Sequence, residues 1–258
     1  MDRLRGKVAI VTGAAQGIDA AVARRFAREG AAVVVADVNE AGGAASAAAI
    51  ARETGAEAIA LRCDVADPAS VDAMHRAARE RLGPVDALVN NAGIAVFREP
   101  LAMSGEDWRR CMAVDLEGAW HCARAVLPDM LDRGRGAIVN VISNHAFTII
   151  SGTFPYPVAK HGLLGMTRAL ALEYAGQGVR VNAISPGYVD TPIAEWVFSQ
   201  APDPARARAE TEAKQPPGRL CRPDEVAAVA ALLASEEAAF IIGENIVIDG
   251  GVSIRMYE

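Results

Sequence analysis

The sequence predicts an α/β fold, a doubly wound parallel sheet with helices on both faces, and three observations predict it. Short apolar runs alternate with helix-length amphipathic segments along all 258 residues. The runs are nearly continuous in Val, Ile, Leu and Ala, the pattern of strands covered on both faces. Ala and Gly are abundant while aromatics make up only 5 %, which suits close packing of helices on a sheet. Seven runs read as strands, at 8–11, 32–36, 58–61, 87–89, 137–142, 179–184 and 246–248. Between them, helices are expected near 17–29, 40–53, 68–81, 105–132, 156–175 and 223–235. Pro68 and Pro223 mark helix entrances, and Gly30, Gly55, Gly83 and Gly176 follow helix ends. Alternation this regular implies right-handed β-α-β crossovers. With no internal linker or repeat, residues 1–258 read as a single domain. The exception is 186–222, interrupted by six prolines from Pro186 to Pro217. It reads as a long irregular segment covering a ligand, with a plain surface loop as the alternative.

Composition narrows the partners. A net charge of −6 and a pI near 5.4 leave no basic stripe for phosphates, which argues against nucleic acid or an anionic membrane. The four cysteines, Cys63, Cys111, Cys122 and Cys221, show no metal-type spacing. They read as free thiols in a reducing cytoplasm, with no metal site. The chain runs from Met1 almost directly into its first strand, so no signal peptide is expected. Residues 137–159 carry no formal charge, but Asn140, Ser143, Asn144, His145, Ser151, Pro155 and Pro157 make them too polar and broken to span a bilayer.

Two groups of residues carry chemistry. Thr12-Gly13-Ala14-Ala15-Gln16-Gly17-Ile18 follows the first strand and opens the first helix. Glycines there let the backbone approach a pyrophosphate resting on the helix N-terminus, although a glycine pair after a strand also fits an ordinary turn. Asp37 ends the second strand, about twenty residues on, where a carboxylate can bond an adenosine ribose. It would repel a 2′-phosphate, and neither Val38 nor Asn39 invites one, so NAD is expected over NADP. The second group is Ser143, Tyr156 and Lys160. The chain has only three lysines, Lys7, Lys160 and Lys214, and one of them stands four positions after a tyrosine. At that spacing the two side chains share a helix face. The ammonium is expected to pull the phenol below its ordinary pKa of about 10. A nearby hydroxyl would complete a proton-transfer site for an alcohol or carbonyl.

These motifs, with Asn90-Asn91-Ala92-Gly93 and Pro186-Gly187-x-Val189-x-Thr191, closely resemble those of the short-chain dehydrogenase/reductase family along essentially the whole chain. The resemblance implies a Rossmann-type seven-stranded parallel sheet and a homotetramer. It implies that Asp64 and Val65 meet the adenine, and that Asn91, Ala92 and Gly93 line the adenosine side. Lys160 would also hold the nicotinamide ribose, with Val189 and Thr191 on the carboxamide. Two positions depart from the family pattern. Asp19 stands where glycine is usual, adding like charge near a pyrophosphate. Asp115 stands where many relatives carry an asparagine that holds a water on the lysine's proton path, a task Asp115 could perform through its main-chain carbonyl. The function expected is hydride transfer between a secondary alcohol, of sugar or polyol type, and NAD. Tyr156 would be the acid/base, Lys160 would tune it, and Ser143 would steady the reacting oxygen. The small-molecule substrate is expected to meet Asn144, His145, Phe154, Tyr188 and Trp196, with Val96, Phe97, Phe147 and Ile193 nearby. The run from Arg255 to Glu258 could reach a neighbouring subunit's site. The alternatives are a 3-oxoacyl-type or other ketone reductase, and a weakly active dinucleotide-binding protein.

Overall fold

A computed structural model describes residues 2–256; of the C-terminal run named above, Tyr257 and Glu258 lie outside the described residues. Seven strands form one parallel sheet in the order β3-β2-β1-β4-β5-β6-β7. They are β1 (Val8–Thr12), β2 (Ala32–Asp37), β3 (Ala58–Arg62), β4 (Ala87–Asn90), β5 (Gly136–Val141), β6 (Val179–Pro186) and β7 (Asn245–Ile248). The principal helices between them are α1 (Gly17–Arg28), α2 (Glu40–Thr54), α3 (Pro68–Leu82), α4 (Gly105–Met112), α5 (Gly118–Asp132), α6 (Tyr156–Tyr174), α7 (Pro192–Ser199), α8 (Pro204–Lys214) and α9 (Pro223–Ala234).

The period of two along each strand divides the core into two layers. On β1, Ala9 and Val11 pack with Val22 and Phe26 of α1, Ile50 of α2 and Ala230 of α9. Ile10 faces the other way, in a core with Met74 of α3 and Val126 of α5. Each layer is almost wholly removed from water, which explains why the strand sequences are apolar without alternation. Strand order reverses between β1 and β4, which pair in parallel with Ile10 opposite Leu88. Their C-terminal ends diverge into loops on opposite faces of the sheet, leaving a crevice there for a ligand.

Three elements differ from the sequence reading. Segment 186–222 is not irregular, since it contains α7 and α8. Pro192 and Pro204 open these helices rather than breaking them, capped by the side chains of Thr191 and Asp203. The expected helix at 105–132 is divided by a π-helical stretch, Ala113–Glu117, with Asp115 at its centre. Beyond α6 the chain adds a tight 3₁₀ turn, Ala175–Gln177, so Gly176, which follows the end of α6 as expected, lies inside that turn and Gly178 takes the left-handed conformation at φ 81°. Among the described residues no helix is long and apolar enough to cross a membrane.

Candidate active site

The crevice holds two adjoining cavities, of about 420 and 230 Å³, that share Ile18, Asn91, Gly93, Ile94, Thr191 and Ile193. The larger cavity is floored by the β1–α1 turn. Gly13 and Gly17 adopt φ of 79° and 66°, open to glycine at little strain. A Cβ on Gly13 would lie 2.9 Å from Asp19 Oδ2 and 3.1 Å from Ala92 Cα, so close approach at this turn requires glycine. Asp37 braces the turn: its two oxygens accept from the amides of Ala15 at 2.9 Å and Asn39 at 2.8 Å. Thr12 Oγ1 accepts from the amides of Asn91 and Ala92, each at 3.2 Å, tying the end of β4 to β1. Gly13, Gln16, Gly17, Ile18, Asp37, Asp64, Val65, Asn91, Ala92, Gly93 and Thr191 all line this cavity. Narrow, glycine-floored and fronted by a helix N-terminus, it fits a dinucleotide's phosphates.

The smaller cavity contains Ser143, Tyr156 and Lys160, together with Asp115, Pro186, Gly187 and Val189. Tyr156 opens α6, and Lys160 lies one turn on, its Nζ 5.3 Å from the phenol ring centre. The Tyr156 ring is fixed by two edge-to-face contacts, with Phe97 at 5.9 Å and His145 at 5.8 Å between centroids. Ser143, on the cavity wall, accepts from the amide of His145 at 3.1 Å, and its hydroxyl donates to Asn144 Oδ1 at 3.4 Å. Lys160 is 3 % exposed, and its Nζ lies 3.7 Å from Asp115 Oδ1. Asp115 Oδ1 also accepts from the amide of Ile94 at 3.2 Å. The Asp115 side chain therefore faces the lysine, whereas a role for its main-chain carbonyl was the expectation. Beside Asn90, Asp115 and Lys160 lies a further cavity of about 10 Å³, room for about one water.

Electrostatics corrects the expected phenol. Burial pushes the Tyr156 hydroxyl above its ordinary value; Lys160 and the Ser143 hydroxyl pull it down, while the Asp115 charge pushes it further up. Lys160 is held above its usual value: burial opposes its charge, but Tyr156 and Asp115 outweigh burial. Burial raises Asp115, against the pull of Lys160 and the Ile94 amide. The lysine's attraction is present, but desolvation of the phenol is larger.

Of the expected substrate contacts, Asn144, His145 and Tyr188 line the smaller cavity, as do Phe97 and Ile193. Phe154 does not, because its ring packs on Trp108 with centroids 5.8 Å apart. Trp196 lies on the outer face of α7, 52 % exposed; Ala194 and Val197 face the cavity instead. Val96 is buried with Cys111 and Ala159, and Phe147 is exposed. Lining residues that escaped the sequence reading include Cys63, Ile94, Arg110 and Val114 in the larger cavity and Ala95, Thr153, Ala194 and Val197 in the smaller. A helical reading of α7 would have placed Val197 beside Ala194; nothing local marks Arg110. No cluster of potential metal ligands occurs among the described residues.

A parallel sheet with a glycine-floored crevice at its strand reversal, beside a Ser-Tyr-Lys group in an adjoining cavity, defines a class of nucleotide-dependent oxidoreductases, and comparison with known proteins gives the family. A family model described as enoyl-(acyl carrier protein) reductase matches residues 13–253. The chain is 44 % identical over 246 residues to cis-4-hydroxycyclohexanecarboxylate dehydrogenase of Sinomonas cyclohexanicum, covering 95 % of this chain and 96 % of that protein. It is 42 % identical over 253 residues to D-threitol dehydrogenase of Mycolicibacterium smegmatis, covering 98 % and 95 %. Among solved structures, levodione reductase superposes with a TM-score of 0.95 at 35 % identity, over 98 % of this chain and 100 % of that one. An actinorhodin polyketide ketoreductase variant with NADPH gives 0.93 at 36 % identity, over 96 % and 98 %. The chain belongs to the short-chain dehydrogenase/reductase family, oxidoreductases that act on CH–OH groups with a nicotinamide dinucleotide.

Proposed function

We propose that this protein is an NAD-dependent dehydrogenase acting on a secondary alcohol of a polar or cyclic small molecule, with polyol and sugar hydroxyls the leading class. One observation carries the reading: the buried Ser143 and Lys160 and the partly buried Tyr156 share a cavity that adjoins the glycine-floored cleft. The dinucleotide, when bound, supplies the hydride acceptor or donor. Gly13, Gln16, Gly17 and Ile18 hold its phosphates, Asp37 its adenosine ribose, and Asp64, Val65 and Asn91 through Gly93 its adenosine end. Pro186, Gly187, Val189 and Thr191 hold the nicotinamide end, together with Tyr156 and Lys160. Tyr156 Oη takes the substrate hydroxyl proton in oxidation and returns it in reduction. The Lys160 ammonium stabilises the phenolate, and Ser143 Oγ donates to the reacting oxygen. Asp115 acts through Lys160 and positions it.

The Asp37 carboxylate supports NAD over NADP, because a 2′-phosphate would meet its charge. Asn144, His145, Thr153 and Tyr188 bring polar groups to a cavity otherwise walled by Ile94, Phe97 and Val197, which suits a ring or chain bearing several hydroxyls. Burial holds the His145 imidazole below its usual pKa. A D-threitol dehydrogenase and a cis-4-hydroxycyclohexanecarboxylate dehydrogenase among the relatives support that class. We also read residues 1–258 as a single functional unit, with 186–222 covering the cleft, working as a cytoplasmic homotetramer. The exposed apolar side chains of Trp120 on α5 and Leu172 on α6 support the association. The test is NAD⁺ reduction across polyols, aldoses, hydroxycyclohexanes and simple secondary alcohols, with NADP⁺ in parallel. Turnover of hydroxylated substrates with NAD⁺ is expected; turnover confined to NADPH and 3-oxoacyl thioesters would replace this reading with the ketone-reductase one.

A further inference from the structure

Asp19 places an ionisable group in the first turn of α1, facing the cleft, in surroundings that do not satisfy a carboxylate. The residue is 5 % exposed. Its Oδ2 accepts from Asn91 Nδ2, across the crevice. Its Oδ1 is buried without any hydrogen-bond partner. A carboxylate with one bare oxygen away from water is strongly disfavoured, whereas the neutral acid loses little and gains a proton to donate. The charged groups facing it are Asp37 from the end of β2, which repels its charge, and Lys160 from α6, which attracts it. Burial outweighs both, and together with Asp37 it holds the Asp19 carboxyl well above the usual carboxylate range, against Asn91 and Lys160.

We propose that Asp19 makes dinucleotide binding proton-linked: the cleft accepts the pyrophosphate with Asp19 as a neutral acid, and ionisation of Asp19 weakens the complex. The inference rests on the dinucleotide reading of the cleft and deepens it. The β1–α1 turn and the first turn of α1 must meet the phosphates, and Asp19 stands in that turn beside Gly13. An ionised carboxylate there opposes two phosphate charges in a site with little water to screen them. A neutral acid presents no such charge. Since the phosphates favour the protonated form, the carboxyl titrates at higher pH in the complex than in the free protein. Between those two values binding takes up one proton, and the dissociation constant rises with pH by up to about tenfold per unit. Below the lower value and above the higher one, affinity is independent of Asp19 titration. This residue therefore sets the pH range over which the protein holds its cofactor.

The experiment is titration of NADH by fluorescence from about pH 5 to about pH 9, for the wild type, Asp19→Asn and Asp19→Gly, the range chosen to span a raised carboxylate. Calorimetry in buffers of different ionisation enthalpy counts the protons taken up, and circular dichroism checks that each variant is folded. Asp19→Asn preserves the shape of the side chain and removes its titration, so any slope left in it belongs to Asp37 or Lys160. In the wild type, weakening with pH accompanied by proton uptake is expected; both should disappear in the two variants, with the variants binding more tightly at high pH. A flat wild-type profile without proton uptake, or an equal slope in all three proteins, would overturn the proposal. Failure of every form to bind NADH or NADPH at any pH would remove the dinucleotide reading, and this inference with it.

Discussion

Tyr156 illustrates how a single residue can be identified by its neighbours and still be poised differently from their simplest reading. Its Lys160 partner lies where the i, i+4 spacing demands, yet burial leaves the phenol above its ordinary pKa. Changing Tyr156 to Phe is expected to lower kcat by about 10²–10⁴-fold while NADH affinity, measured by fluorescence, falls far less, since the other cofactor contacts remain. Asp115 offers a finer test, because its charge raises Tyr156 from a carboxylate that also touches Lys160. Phenolate is the form that accepts a proton in oxidation, so activity in that direction should rise as pH passes upward through the Tyr156 pKa. Asp115→Asn removes the negative charge and should move that rise to lower pH in the kcat/KM profile. An unmoved profile would mean that Asp115 is structural only. At Asp37, substitution by Asn should weaken NADH binding about tenfold or more, the loss expected for a charge-assisted hydrogen bond of ~1.5–3 kcal/mol. NADPH should lose less or gain, which parallel titrations will reveal.

At the scale of elements, helix starts decide where the active-site side chains point. Pro192 enters α7 behind the Thr191 cap, so that Ala194 and Val197 face the cavity and Trp196 faces water. α9, whose Ala227, Ala230 and Ala231 pack beneath β1 and α1, begins with Glu225 accepting from the Arg222 amide at 2.7 Å. Arg219 reaches the same carboxylate with two hydrogen bonds of 2.8 and 2.7 Å, and the Glu225 carboxyl is held down to about 2. Because its folded pKa is depressed, this contribution is fully present above about pH 4.5 and lost as pH falls through about 2. The ion pair is partly exposed and screened by solvent, so most of the stabilisation belongs to the cap. Glu225→Ala should cost about 1 kcal/mol, or about 2–4 °C in Tm for a chain of this size. Differential scanning calorimetry at pH 7 and at low pH checks both the size and the loss with acid.

For the whole molecule, the cleft is assembled from strand ends far apart in sequence, so a ligand bound there ties together β1, β2, β4 and the 186–222 segment. A dinucleotide at about one hundred times its Kd should stabilise the folded state by about 2.7 kcal/mol. That corresponds to a Tm increase of roughly 5–10 °C, readable by thermal shift. An unchanged Tm with NADH and with NADPH would contradict the cleft's assignment.

Local patterning was sufficient for the layers of this fold. Strands apolar without alternation need helices on both faces, and helix-length spacers supply them, so the seven strands and the order of the motifs were legible from residue types alone. The same holds for the glycines of the first turn and for the pairing of Tyr156 with Lys160, since both depend on neighbours only a few residues away. What the tertiary structure decided was long-range. In 186–222 the Thr191 and Asp203 caps mark Pro192 and Pro204 as helix starts locally, but which face of α7 lines the cleft is set only by packing. Phe154, two residues before Tyr156, and Trp196, in the segment after Thr191, both point away from the cavity, because direction depends on which face of an element is buried. The approach of Asp115 to Lys160, the orphaned oxygen of Asp19 and the net position of the phenol depend on desolvation and on charges brought together by the fold. Periodicity identifies which surfaces are removed from water; which charges meet once the water has gone is a property of three dimensions.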